Sequence, residues 1–408
     1  MKYVWKRAIA FSLALFLLAG FFSGCGGGGG EGVVVVIGEV SDLTGPASPA
    51  LSALHYGVTD MVTYYNEEGL IPGVKVKLVS YDDMANPART IPGYEWVRER
   101  GAKVVISVLP SDGEILKPFA KEDKTPLVTL GTSIPLIEPP GWAFAPNCPG
   151  SYEIKTVLKW ISENHWNYDT QGIPKIGFAL WNEPGGIEIM KGLEEYTKEH
   201  PDKFDYVGSY LVPAGTFIFS GEIEKLKDCD YICLHATPTG YFIRQFKDRG
   251  YTTTFIGSSA QVAFLGFITD CCGWEAVDGM LSTSVCQWWD EPSPMVKMAK
   301  ELLLTYRAGQ ADDLMHRGQG YIAGCQNMVS VLEILRNAIE KVGVEYFDGQ
   351  AFYDAALKYK TSGPIWEGYP EWGYGESDRV LISDVQMYEW RAEVKDVVRI
   401  SDWLLATG

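Results

Sequence analysis

Positive charge is scarce in this chain: 35 Lys and Arg stand against 52 Asp and Glu, a formal net charge of −17. So acidic a body repels nucleic acid and anionic lipid headgroups, and neither is expected as a partner. Histidine is scarcer still. His55, His165, His200, His235 and His316 are scattered singly, without the paired spacing of a metal centre, so no metal and no cofactor is expected. Gly-x-Ser-x-Gly, His-Glu-x-x-His and Gly-x-x-x-x-Gly-Lys-Ser/Thr are all missing, which argues against an enzyme. Beyond residue 24 no apolar run approaches the roughly 20 residues that cross a bilayer as a helix, so any partner in the membrane is expected to be a separate chain. Setting Cys25 aside, the cysteines are odd in number. At least one thiol is then unpaired within the chain, and buried structural cysteines are the expectation.

What is present begins with an export signal. Lys2, Lys6 and Arg7 precede an apolar stretch from Ala8 to Gly20, and Phe22-Ser23-Gly24-Cys25 closes it with small residues before a cysteine. Residues 1–24 are read as a cleaved signal peptide. The placement of Cys25 resembles a bacterial lipobox, although Phe22 stands where leucine is usual. Lipidation of Cys25 is expected, with ordinary secretion as the alternative. Residues 25–32 are then a lipidated cysteine and a Gly-rich tether. The body is expected outside the cytoplasm, anchored at the outer face of the cytoplasmic membrane or held in the periplasm.

Past the tether, strand and helix patterns alternate. Val33 to Gly38 is a continuous apolar run of the kind a strand buried on both faces needs. Leu51, Leu54, Val58, Met61 and Tyr65 recur at helical spacing. Strands at Val74 to Leu78, Lys103 to Leu109 and Pro126 to Leu130 interleave with helices at Tyr94 to Arg100 and Asp112 to Lys121. After Pro146 to Gly150 the pattern restarts with strands at Ile176 to Leu180, Tyr206 to Leu211, Asp230 to His235, Thr254 to Ile256 and Gly279 to Ser284. A long helical stretch, Pro294 to Val342, and strands near Arg379, Gln386 and Val397 finish the chain. Such a series folds as parallel sheets covered by helices on both faces, and the length exceeds one compact core.

The order of motifs resembles the leucine/isoleucine/valine-binding protein family, the type I periplasmic solute-binding proteins of ABC transporters, over nearly the whole body. It rests on Val36-Ile37-Gly38 with Asp42-Leu43-Thr44-Gly45-Pro46, Tyr81-Asp82-Asp83 with Pro87, Pro126 to Ser133, Gly141-Trp142-Ala143-Phe144, and Tyr353-Asp354-Ala355 with Leu357. The resemblance implies an α/β fold of two doubly wound parallel-sheet lobes joined by three hinge crossings. Residues 33–147 and 285–364 would form lobe 1, and 148–284 and 365–408 lobe 2. It further implies a monomeric protein that closes on a small solute and docks on the permease subunits of an ABC transporter. A ligand-sensing receptor subunit is the alternative.

Ligands of such sheets sit beyond the carboxyl ends of the strands, where helix starts offer free N–H groups. Ser111, Gly131 through its backbone, and Ser133 match the family's carboxylate-holding positions, with Thr132 a weaker candidate. Asp112 is expected to cap the helix after Ser111. In the second lobe Gly185 replaces the family's covering tyrosine, which is expected to open space for Trp181 to stack on a ligand. Ser259 stands where an acidic ammonium partner is usual, and Glu183 is a candidate substitute. Ala50 replaces a bulky wall residue. A desolvated ammonium without a counter-charge costs several kcal/mol. The expected ligand is therefore an organic acid, aromatic or aliphatic, or else an amide or amino-acid derivative.

Overall fold

The computed structural model describes residues 32–236 and 238–406. The expected signal peptide and Cys25 lie outside these residues. The strands are β1 (Val33–Ser41), β2 (Val74–Asp82), β3 (Ala102–Ser107), β4 (Leu127–Thr129), β5 (Ala143–Asn147), β6 (Lys175–Trp181), β7 (Asp205–Val212), β8 (Tyr231–Cys233), β9 (Thr254–Gly257), β10 (Leu281–Ser284), β11 (Val380–Ile382), β12 (Asp384–Arg391), β13 (Asp396–Arg399) and β14 (Leu404–Leu405). Among the described residues no helix is long and apolar enough to cross a membrane, and no group of side chains could hold a metal ion.

Two sheets result, the two α/β lobes expected from the sequence. The first is six-stranded, in the order β11-β5-β4-β3-β1-β2, and every pairing in it is parallel. Its centre is the β-branched run of β1 and β3, where Ile37, Val104 and Val105 are fully buried under helices on both faces. The second sheet runs β13-β12-β10-β9-β8-β6-β7. It is parallel from β7 to β10, and the C-terminal strands add antiparallel pairings at one edge.

The chain passes between the sheets three times. It leaves the first sheet after Asn147, enters the helix Gly150–Trp160 beside the second, returns after Ser284 to the helix Pro294–Tyr306, and crosses again between β11 and β12. That last crossing corrects the expected boundary at 364/365. β11 pairs with β5, Val380 opposite Ala145 and Ile382 opposite Asn147. Val380–Ile382 therefore complete the first lobe's sheet, and Ser383 alone separates it from the second.

Helix Ser48–Glu67 packs along helix Gly320–Val342, the most extensive helix pair in the molecule. The two backbones lie so close that a Cβ on Gly57 or Gly324 would strike a carbonyl of the partner helix, and one on Gly320 would stand 3.0 Å from the carbonyl of Ala50. Ala50 itself is 2% exposed. It lies in the part of this helix whose backbone meets Gly320, beside the crossing.

Candidate functional site

The parallel strands of both sheets direct their carboxyl ends, and the loops that follow, toward the space between the lobes. On the first lobe the turn after β3 opens the helix Pro110–Glu122, whose N-cap is Leu109, without a side-chain cap. Ser111 is half-buried in its first turn; Asp112 N–H and Gly113 N–H both donate to the Leu109 carbonyl and Pro110 has no N–H, which leaves the N–H of Ser111 as the free backbone donor there. Its hydroxyl makes no hydrogen bond among the described residues. Asp112 is not the expected cap. It is buried against Asp83 and accepts from Thr90 Oγ1 at 3.2 Å. Burial, then the neighbouring Asp83 carboxylate, pushes Asp112 up to about 8, so the pair shares a proton.

The neighbouring loop after β4 is largely committed internally. Gly131 N–H donates to the Val108 carbonyl at 2.8 Å, so this N–H is already engaged within the lobe. Any Cβ there would meet that same carbonyl at 2.6 Å, which is why the position is glycine. Thr132 Oγ1 donates to the Asn147 carbonyl, at the first hinge crossing. Ser133 Oγ donates to Glu114 Oε1 at 2.6 Å.

Across the cleft, β6 ends at Trp181 and feeds the helix Pro184–Glu199. Glu183 is its N-cap. Its carboxylate accepts from Gly185 N at 2.9 Å and Gly186 N at 2.5 Å, and so fills the helix start with a negative charge of the protein's own. Gly185 does not open space. A Cβ there would stand 2.8 Å from His235 Nε2, from the loop after β8. Burial lowers the His235 pKa, partly offset by Glu183 3.7 Å away, and its Nδ1 is buried without a partner among the described residues. Sequence reasoning passed over His235 because only its neighbours in space reveal it. Trp181 is fixed in place: its indole N–H donates to the Thr216 carbonyl at 2.6 Å and its ring meets Phe217 edge-on at 5.3 Å.

Ser259 follows β9 as expected, and an acidic group stands behind it. Glu153, buried in the helix after the first crossing, accepts from Ser259 N at 2.8 Å, Ser259 Oγ at 2.9 Å and Thr283 Oγ1 at 2.5 Å. Burial raises the Glu153 pKa against these three bonds. A further carboxylate, Glu188, accepts from Ser151 Oγ at 2.5 Å. Burial raises its pKa, against the stabilising bond from Ser151. The lobes also meet where Gln319 N donates to the Val262 carbonyl and Gln319 Nε2 to the Ser259 carbonyl. A shallow depression lined by Ile173, Phe204 and Tyr206 lies where β6 and β7 begin, at the opposite end of the sheet from the cleft.

Two sheets of this order, three crossings and helix starts facing one cleft accompany a sequence match: the model of the periplasmic binding protein family covers residues 34–395. The chain belongs to that family. Solved structures agree with its fold. A Thermus thermophilus branched-chain amino acid ABC transporter protein with bound valine is 20% identical, with a TM-score of 0.79, 91% of this chain and 96% of that one covered. A fatty acid ABC transporter substrate-binding protein from Thermomonospora curvata is 12% identical with a TM-score of 0.78, covering 91% and 92%. An R. palustris solute-binding protein in complex with 4-hydroxybenzoate is 17% identical with a TM-score of 0.74, covering 91% and 97%. A search of curated protein sequences gives no match. Relatives of this binding protein thus share one architecture while their ligands differ in chemistry.

Proposed function

We propose that this chain is the exported solute-capturing subunit of an ABC importer, tethered through lipidated Cys25, and that it is a binding protein and not an enzyme. It closes its lobes over a small carboxylate-bearing solute and presents the closed form to permease subunits. The observation that carries the ligand side is the start of helix Pro110–Glu122, which no side chain caps and where Ser111 offers a hydroxyl and a backbone N–H that no other described group accepts from. A carboxylate fits there by charge and by hydrogen bonding. The backbone of Gly131, His235 and the loop of Trp181, Glu183 and Gly185 supply the rest of the lining, with Thr132, Ser133 and Ser259 as supports. The range of solutes includes aliphatic and aromatic acids, their amides and amino-acid derivatives, a range in keeping with the valine and 4-hydroxybenzoate named for the relatives.

A thermal-shift screen of the purified protein against these acids and amides tests the reading. A ligand at 100 times its Kd stabilises the folded state by about 2.7 kcal/mol, a shift of a few degrees. Ser111→Ala is expected to weaken the identified ligand about tenfold by removing one charge-assisted hydrogen bond, with the unliganded melting temperature unchanged. Turnover of the ligand would overturn the assignment.

A further inference from the structure

Ser259 follows β9 on the second lobe's side of the cleft and is half-buried. Most of its hydrogen-bonding capacity is already spent. Its N–H bonds to Glu153 Oε2 at 2.8 Å, its hydroxyl to Glu153 Oε1 at 2.9 Å, and its carbonyl accepts from Gln319 Nε2 at 2.8 Å. The direction of the hydroxyl proton follows from what surrounds Glu153. A backbone N–H can only donate, so Oε2 is an acceptor, and Thr283 Oγ1 reaches the same oxygen at 2.5 Å. Donors converging on a buried carboxyl group favour its ionised form, against the cost of burial. Ser259 therefore gives its proton to Glu153. A hydroxyl has one proton and two lone pairs, so what Ser259 has left is the acceptor side of Oγ. Nothing among the described residues donates to it.

Resting on the carboxylate reading of the cleft, we infer that Glu153 is a positioning residue which turns Ser259 into a hydrogen-bond acceptor, and that the solute meets Ser259 with an uncharged O–H or N–H donor. The two lobes then read the two ends of the solute with opposite polarity: Ser111 donates to a carboxylate, and Ser259 accepts from a neutral group. An ammonium is the poorer match, because the carboxylate it needs is buried behind Ser259 and already holds its donors. A ketone is poorer still, since its lone pairs would face those of Ser259. The class selected is a hydroxy acid, or an acid with an amide N–H.

Calorimetry of the full chain compares matched probes: hydroxy acids, their keto, amino and unsubstituted counterparts, and the hydroxy compounds without the carboxyl group. Wild type is expected to bind the hydroxy acids about tenfold more tightly than the unsubstituted ones, and the keto acids least tightly. Glu153→Gln should reverse the order of hydroxy and keto acids. Its amide oxygen has to stand at the Oε2 position to accept from Ser259 N–H, which sets the amide N–H against Ser259 Oγ and turns the hydroxyl proton toward the cleft. A purely structural role for Glu153 would weaken every set alike and overturn the inference. Ser259→Ala should bind hydroxy, keto and unsubstituted acids equally, and decides the matter alone if Glu153→Gln fails to fold. Thr283→Val takes a partner from Glu153 without touching Ser259, and should lower the melting temperature while keeping the preference. Equal binding of hydroxy and keto acids by wild type, tighter binding of the amino counterparts, or a preference that survives Ser259→Ala overturns the inference and leaves the carboxylate reading standing. Binding of the hydroxy compounds with or without the carboxyl group, lost in Ser259→Ala, keeps the Ser259 acceptor and removes the carboxylate reading. Silence of every set overturns both.

Discussion

Both lobes bring the start of a helix to the cleft, Pro110–Glu122 from the first and Pro184–Glu199 from the second, but only the second closes its own. There the Glu183 carboxylate sits on the N–H groups of Gly185 and Gly186. In the first lobe the acidic residue of the opening turn, Asp112, faces inward and shares a proton with Asp83, so it does little to neutralise the helix start. The same topology thus produces a donor face and an acceptor face. The difference comes from where one carboxylate is aimed and whether burial lets it ionise, not from the architecture.

The comparison is easiest to break on the acceptor side. Glu153→Ala leaves Ser259 N–H, Ser259 O–H and Thr283 O–H without their shared acceptor in a buried place. We expect it to destabilise the fold by about 3 kcal/mol in urea melts, with Glu153→Gln well short of that. A loss below the error of the melts would mean that water replaces the carboxylate and that the second lobe's rim is wetter than described. Gly185→Ala comes next. Its Cβ would press on His235, at an expected cost of about 1–3 kcal/mol, relieved when combined with His235→Ala. Additive effects of the two changes would show that His235 is not what limits the space beside Gly185.

The smallest effect sharpens the donor side. Asp112 has its pKa raised from 3.8 to about 8 in the folded chain. Between those values the folded state holds a proton that the unfolded chain has lost, so stability falls as pH rises through this window and levels off above it. Wild type should lose several degrees of melting temperature over that range. Asp112→Asn should flatten the slope and keep ligand affinity, since the helix start stays open. A slope unchanged in this variant would assign the proton to another group.

Much of the scaffold was legible because its signals are local. The Val33 run, the apolar stripe of residues 51–65 and the strands of the second lobe all fall where the spacing places them, within a few residues. The short helices Ser259–Ala263, Leu265–Cys272 and Trp274–Val277 carry too few turns to show a stripe. The late boundary slipped because the aromatic-rich stretch before Val380 has no strand or helix period. In the cleft, Ser111, Gly131, Ser133, Glu183, Gly185 and Ser259 could be singled out, but their commitments could not. Glu153 meets Ser259 across 106 residues and Thr283 across 130, and Ser151 meets Glu188 across 37. No local pattern encodes such partners, and they decide whether a hydroxyl is free to meet a ligand.

The crossing at Ser383 has a mechanical consequence. A strand of one sheet becomes a strand of the other within a single residue, and the carbonyl of Ser383 is itself held by Ala406 N–H at 2.7 Å. So short a connection leaves no slack for the lobes to slide or draw apart at that point. Their relative motion is held to rotation about that pivot, and distances measured between the rims would report its extent.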